Sequence, residues 1–125
     1  MAKVSYYENS DGVRPVQEYL NELAKRAQNE KLFRGRLKKV QAAIFNLEQI
    51  GYRYVLSSAR HIEGVDNLWE LRPGTDRVLF FLVLQNEYVL LHAFEKKSQK
   101  TPRMEIERAK REITDFLKRR NNKNA

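Results

Sequence analysis

Two apolar segments separated by a short polar break dominate the middle of the chain. Residues 77–84, RVLFFLVL, are almost continuously hydrophobic, and residues 88–95, YVLLHAFE, follow after the turn QNE. Apolar runs of this length bounded by turn residues are typical of strands buried on both faces. So short a connection favours antiparallel pairing. The sequence therefore predicts an antiparallel pair of strands, of which the first, residues 77–84, is buried on both faces.

A third strand is predicted just before this hairpin, in the segment LWELRP. Its alternation directs Trp69 and Leu71 to one face and Glu70 and Arg72 to the other. The following PGTD, residues 73–76, has the composition of a tight turn. We therefore expect this strand to pair with the one that begins at residue 77.

Three amphipathic helices account for most of the remaining chain. The first begins at Pro15, where the missing N–H of proline does no harm. The second ends before Gly51, a residue suited to a helix C-terminal cap. The third begins near Thr101 as N-cap, with Pro102 in its first turn. All three carry apolar residues at spacings of three and four.

The order of these elements predicts a small single α+β domain. A short strand is expected within residues 2–8, and residues 52–67 are expected to form a loop that can include a second short strand. The predicted architecture is a twisted antiparallel sheet packed by two N-terminal helices, with a C-terminal helix. We assign residues 1–120 to the domain and 121–125 to a frayed basic tail.

Composition narrows the possible functions. The chain has no cysteine and only two histidines, His61 and His92, so a metal site is not expected and no cofactor is implied. No apolar run reaches the ~20 residues that a membrane helix needs. The N-terminus lacks the apolar core of a signal peptide, so a cytoplasmic location is the default expectation.

Positive charge is concentrated towards the C-terminus. The net charge is +8, and residues 92–125 hold eleven Lys or Arg against five Asp or Glu. A surplus of this kind favours polyanionic partners, of which nucleic acid is the commonest. A surface that is basic only for solubility is the simpler alternative.

The two hairpins bring four cations to one end of the sheet. Arg72 ends one strand, Arg77 begins the next, and Lys96 and Lys97 follow the last. Such a cluster suits a phosphodiester, because arginine binds phosphate oxygens bidentately and fixed cations stabilise charge that develops in the transition state. RNA supplies its own nucleophile, the 2′-OH. The alternative is a solvated basic edge that pairs with nearby acids such as Glu70.

Three further side chains carry open interpretations. Alternation places His92 on a face with Leu90 and Phe94, which favours a buried histidine over an acid–base catalyst. His61, beside Arg60, could contact RNA or donate a proton, and a surface role is the simpler interpretation. Glu70 is either a general base or the carboxylate that holds Arg72 in place.

The segments "LWELRP…RVLFF", "VLLHAFEKKSQKTP" and "EIERAKREI" together resemble the RelE/HigB toxin superfamily, in its phage-derived HigB-like branch. The resemblance covers the chain from the first strand to the last helix. It implies a small α+β fold and a toxin of a type II toxin–antitoxin system. It further implies metal-independent, ribosome-dependent cleavage of mRNA, which inhibits translation, and a helix-turn-helix antitoxin (HigA-like) as partner beside the ribosome.

The resemblance also implies roles for individual residues. Arg72 and Arg77 would bind phosphate in the transition state, and Lys96 and Lys97 match the basic pair after the last strand. Candidate RNA-contacting residues are Arg60, His61, Glu70 and Lys100. One difference is that RelE itself has a catalytic tyrosine near its C-terminus, whereas no tyrosine follows Tyr88 here. The general acid and base therefore remain open among His92, His61, Glu70 and a lysine.

Two alternatives to an enzyme remain. The same basic surface would serve a non-catalytic RNA- or ribosome-binding protein, with strongly salt-dependent affinity. It would also serve an interaction module whose basic helix docks on an acidic regulator.

Overall fold

The chain forms a five-stranded sheet with helices on both faces. The computed structural model describes residues 1–124. The strands are β1 (Lys3–Tyr6), β2 (Ala59–His61), β3 (Leu68–Leu71), β4 (Asp76–Leu84) and β5 (Glu87–Glu95). The helices are α1 (Pro15–Ala27), α2 (Lys31–Ile50), α3 (Tyr52–Ser58) and α4 (Arg103–Asn124). This is the small α+β domain that the sequence predicts.

The sheet is mixed rather than wholly antiparallel. Its strand order is β1-β5-β4-β3-β2, and the four strands from β2 to β5 form an antiparallel meander. Strand β1 instead runs parallel to β5, with Lys3 opposite Glu87. The expectation of an antiparallel sheet is therefore wrong at this strand. The long helical connection after β1 allows a parallel pairing that a tight turn would not.

Helices α1, α2 and α3 cover one face of the sheet. Their buried apolar residues pack against the inward-facing residues of β3, β4 and β5. Fully buried examples are Val40 and Leu47 of α2, Val55 of α3, and Phe80 and Leu90 of the central hairpin. This face holds the larger of the two apolar cores.

Helix α4 covers the opposite face. Ala109 is fully buried there, and Ile106, Ile113 and Phe116 pack against Leu79, Phe81, Val89 and Leu91 of the sheet. The central hairpin is thus buried on both sides, which confirms the prediction made for residues 77–84 from their continuous hydrophobicity. Among residues 1–124, no helix combines the length and apolarity needed to cross a bilayer.

A β-bulge in β5 changes the direction of His92. Leu79 pairs with His92 but Phe80 pairs with Leu90, so Leu91 is an extra residue in β5. Past the bulge His92 faces α4, together with Phe94, whereas Leu90 faces the other helices. The predicted grouping of His92 with Leu90 is therefore wrong, because simple alternation fails at a bulge.

The segment after Gly51 contains a helix where a loop was expected. Gly51 adopts φ +74°, and the N–H groups of Tyr54 and Val55 both donate to its carbonyl. The break at glycine ends α2 and lets α3 begin at once in a new direction. The mixture of aromatic, small and charged residues in α3 hides its period, since Val55 alone is buried. The expected short strand is present as β2.

Helix α4 extends further than predicted. It begins at Arg103 and continues to Asn124, across the expected domain boundary at residue 120. Ala125 lies outside the described residues. The division into a domain and a tail stays a prediction.

A buried ion pair ties α1 and α2 to the start of β4. The Asp76 carboxylate is fully buried, and Arg36 of α2 binds it with Nη2–Oδ1 at 2.6 Å and Nε–Oδ2 at 3.1 Å. Tyr19 of α1 donates its hydroxyl to the same carboxylate. Burial raises the pKa of Tyr19, and its hydrogen bond to Asp76 raises it further. Three elements are therefore fixed at one residue of the sheet.

Replacing Arg36 by leucine should lower the free energy of unfolding by about 3–5 kcal/mol, because it leaves the buried Asp76 charge without its ion-pair partner. Urea unfolding at neutral pH measures this. The exposed Lys38 on the same helix offers a control, and Lys38→Ala should stay within about 0.5 kcal/mol of the wild type. Equal stability of the two variants would contradict the structural role of the pair.

Helix α4 is fastened to the sheet by carboxylates that need to be ionised. Glu87 accepts from Arg120 at 2.6 Å, and this hydrogen bond lowers the Glu87 pKa. Asp115 accepts from the Tyr7 hydroxyl at 2.7 Å, and this bond lowers the Asp115 pKa. The same contact and burial raise the pKa of Tyr7 to about 12.

The attachment of α4 should weaken in acid. A carboxylate with a depressed folded-state pKa contributes stability above its unfolded pKa of about 4, and this is lost as the pH falls through the folded value. Glu87→Gln removes one such group. We expect the drop in the urea midpoint between pH 7 and pH 3 to be smaller in this variant than in the wild type. An unchanged pH dependence would show that the Glu87–Arg120 pair contributes nothing.

Candidate functional site

Two arginines, Arg72 and Arg77, lie beside one buried carboxylate. Glu70 of β3 is 1 % exposed, and its Oε1 lies 3.6 Å from Nε of Arg72 and 4.0 Å from Nε of Arg77. Alternation from the β3–β4 register puts Glu70 and Arg77 on the α4 face of the sheet, and Arg72 follows β3 at the start of the β3–β4 turn. The predicted neighbourhood of Arg72 and Arg77 is thus present in the fold.

Glu70 has two further neighbours. Its Oε2 accepts a hydrogen bond from the Thr101 hydroxyl at 2.8 Å, and Arg60 of β2 lies directly opposite it in the strand register. Thr101 was expected to cap α4, but its hydroxyl binds the sheet instead. Because Glu70 is enclosed by these residues, its position suits a carboxylate that holds cations rather than one that meets solvent.

Arg77 is the inner of the two arginines. It is 5 % exposed, and its Nη1 donates to the carbonyl oxygens of Gly74 and Asp76, both at 2.8 Å. Burial lowers its pKa, and the nearby Arg72 lowers it further. Through these two hydrogen bonds Arg77 stabilises the β3–β4 turn.

Arg72 is the outer arginine. Its side chain is 29 % exposed, in contrast to the buried Arg77. Among the described residues its Nε is buried without a hydrogen-bond partner, with Glu70 too distant for more than an ion pair. The Nε atom of Arg72 is therefore buried beside Glu70, while part of the side chain remains open at the surface.

The lysines extend this basic region in two directions. The Lys96 N–H donates to the carbonyl of Thr75 at 2.8 Å, so Lys96 lies beside the turn that follows Arg72. Lys97 is exposed beyond the end of β5. Lys100 lines a cleft of about 330 Å³ on the α4 side of the sheet, together with Arg60, His61 and Thr101. We name this cleft, lined by Arg60, His61, Ile62, Glu63, Lys100, Thr101 and Ile106, the α4-side cleft.

His92 does not reach this region. It is 1 % exposed, with Nδ1 2.6 Å from Glu112 Oε1 and Nε2 3.0 Å from Glu105 Oε1, both on α4. Both ring nitrogens are thus occupied by carboxylates inside the structure. The geometry is that of a histidine that joins α4 to the sheet.

His61 is the exposed histidine. It pairs with Trp69 in the register, and the two rings lie 5.0 Å apart. The register turns the His61 ring towards Trp69, on the sheet face opposite to Glu70, and the residue lines the α4-side cleft from its position in the edge strand β2. Of the two histidines, only His61 is open to a solvent-borne substrate.

The arrangement can bind an anionic chain across the end of the sheet. Arg60, Arg72, Lys96 and Lys100 come from separate segments, and the β3–β4 turn beside Arg72 and Lys96 is stabilised by buried ion pairs of Asp76 and Arg77. Fixed cations of this kind can stabilise charge on phosphate oxygens. Within residues 1–124 there is no cluster of three or more His, Cys, Asp or Glu placed to bind a metal.

The fold and the basic sheet end together define a RelE-like α+β domain. A family model described as "Phage derived protein Gp49-like" matches residues 18–114, and the chain therefore belongs to this family. It is a RelE/HigB-like family associated with toxin–antitoxin systems, which implies an antitoxin partner. No curated protein matches the chain.

Replacing His92 by alanine should lower the free energy of unfolding by about 1–3 kcal/mol, because Glu105 loses its contact with the ring and the buried Glu112 keeps only its bond from Arg108. His61→Ala, at an exposed site, is the matched control and should change stability by less than about 0.5 kcal/mol. Urea unfolding of both variants tests this. Equal stability would show that His92 does not anchor α4.

Proposed function

We propose that this protein is the toxin of a type II toxin–antitoxin system and a metal-independent endoribonuclease that cleaves mRNA on the ribosome. The observation that carries the proposal is the convergence of Arg72 with Arg77 around Glu70, in a member of a toxin-associated family. The RNA-binding surface would be the basic end of the sheet, and a helix-turn-helix antitoxin (HigA-like) would neutralise it. The place of action would be the cytoplasm, where ribosomes translate.

The proposed reaction uses the 2′-OH of the RNA as nucleophile. Its oxygen attacks the adjacent phosphorus and the bond to the 5′-oxygen breaks, which leaves a 2′,3′-cyclic phosphate and a 5′-hydroxyl. Negative charge increases on the phosphate oxygens during the step. The partly exposed guanidinium of Arg72 would stabilise that charge, since donors fixed before the reaction need no reorganisation.

The neighbouring residues would position Arg72, bind the RNA and transfer protons. Arg77 and Glu70 are buried, so we assign them to positioning Arg72 rather than to contact with RNA. Lys96 and Lys97 would bind the phosphate or its neighbours, and Arg60 and Lys100 would hold the strand in the α4-side cleft. His61 is our candidate for proton transfer, because it is the exposed histidine and histidine can both give and take a proton. It would meet the RNA at the edge strand β2 rather than beside Glu70.

The buried positions of His92 and Glu70 favour a second candidate, a ribosome-binding protein without catalysis. Both proposals require the same cations, but they differ in the product. Primer extension on mRNA with and without ribosomes separates them. New 5′ ends that appear only with ribosomes support the enzyme, and ribosome binding without new ends supports the alternative.

Arg72→Ala should reduce ribosome-dependent cleavage about 10²–10³-fold, as expected for one transition-state donor. Arg72→Lys should also be impaired, because lysine lacks the bidentate fork. The measurement is the initial rate of new 5′ ends on translating ribosomes. Arg53→Ala, in the exposed part of α3, is the control and should cleave like the wild type. Full activity in a folded Arg72→Ala variant would refute the site assignment.

A further inference from the structure

A second cleft opens beside Arg72 on the other side of the sheet end. It has a volume of about 390 Å³ and lies between α2, α3 and the β3–β4 turn. We name it the α2-side cleft. Its lining residues are Lys39, Ala42, Ala43, Asn46, Tyr54, Ser58, Arg72, Pro73 and Gly74.

Lys39 is held against the turn that follows Arg72. A Cβ atom added to Gly74 would lie 3.2 Å from Cδ and 3.6 Å from Nζ of Lys39. The Lys39 side chain therefore lies across this glycine, which also adopts φ +64°. A residue with a side chain at position 74 would press on the lysine and strain the turn. The ammonium group of Lys39, from α2, therefore lies close to the turn that follows Arg72.

The positive charges that line this cleft, on Lys39 and Arg72, have no acidic residue beside them in its lining. None of its lining residues is acidic, and Lys39 makes no ion pair among residues 1–124. The acid nearest to Arg72 is Glu70, which is buried and shared with Arg77. Asn46, Tyr54 and Ser58 add neutral polar groups. Two cations with neutral donors and no carboxylate form a site suited to a phosphate group.

We infer that the α2-side cleft binds a backbone phosphate of RNA next to the scissile one, with Lys39 as a binding residue that the basic strand end alone does not suggest. The inference rests on the proposed function. Arg72 lines the α2-side cleft, and its Nε lies 3.6 Å from Glu70, which accepts from Thr101 of the α4-side cleft. A single strand that enters along Arg60 and Lys100 would therefore pass Arg72 and continue over Lys39. The contact would act on binding rather than on the chemical step.

The test removes the charge of Lys39 while keeping the packing of its side chain on Gly74. Lys39→Gln preserves most of the hydrocarbon chain, Lys39→Arg restores the charge, and Lys38→Gln is the control on the same helix. Binding of a single-stranded DNA oligonucleotide, which lacks the 2′-OH and is not cleaved, is measured over a range of salt concentrations. Lys39→Gln should reduce the slope of log K against log salt by about 0.7, the value for one phosphate contact on a single strand.

The same variants are then assayed on translating ribosomes. Lys39→Gln should raise KM and leave kcat unchanged, as for a uniform binding contact, whereas Lys39→Arg and Lys38→Gln should resemble the wild type. A Lys39→Gln variant with the salt slope and KM of Lys38→Gln would overturn the inference while leaving the proposed cleavage intact. A lost phosphate contact in a protein that cleaves no mRNA would support the cleft and refute the enzyme.

Discussion

The fully buried carboxylate of Asp76 is the constraint on which the functional end of the sheet depends. A charge in that position is tolerated only if it is paired, and Arg36 and Tyr19 supply its partners. Because these partners belong to α2 and α1, the requirement fixes both helices to the first residue of β4. The turn between β3 and β4 is thereby held in place before any of its cations meets a substrate.

Glu70 is a second buried carboxylate that is paired with cations, on the other face of the sheet. It is buried among Arg72, Arg77 and Thr101, so the ends of β3, β4 and the segment leading to α4 meet at one carboxylate. The carboxylate balances one of the two arginine charges and leaves the other. Structure and proposed function are linked at this residue, since the group that stabilises the fold also sets the excess positive charge.

Much of this arrangement is predictable from local sequence. The turn residues at 73–76 and the short break at 85–87 are sufficient to place Arg72 beside Arg77 and Lys96 near the same end. The direction of His92 is not predictable, because a bulge at Leu91 leaves no signal in the alternation. The bond from Thr101 to Glu70 and the contact of Lys39 with Gly74 join residues far apart in sequence. Neither follows from the period of a helix or strand.

Repulsion between Arg72 and Arg77 gives a reason why the basic end of the sheet should favour an anion. Burial lowers the pKa of Arg77 and the charge of Arg72 lowers it further, so keeping both guanidinium groups charged opposes folding. The negative charges of Glu70 and Asp76 offset these effects only in part. A phosphate beside Arg72 would relieve the remainder, and the relief would increase as charge grows on the phosphate oxygens. Part of the stabilisation of the transition state would then come from relief of the repulsion between Arg72 and Arg77 in the free protein. The buried contacts of Asp76 and Glu70 keep the two arginines in place.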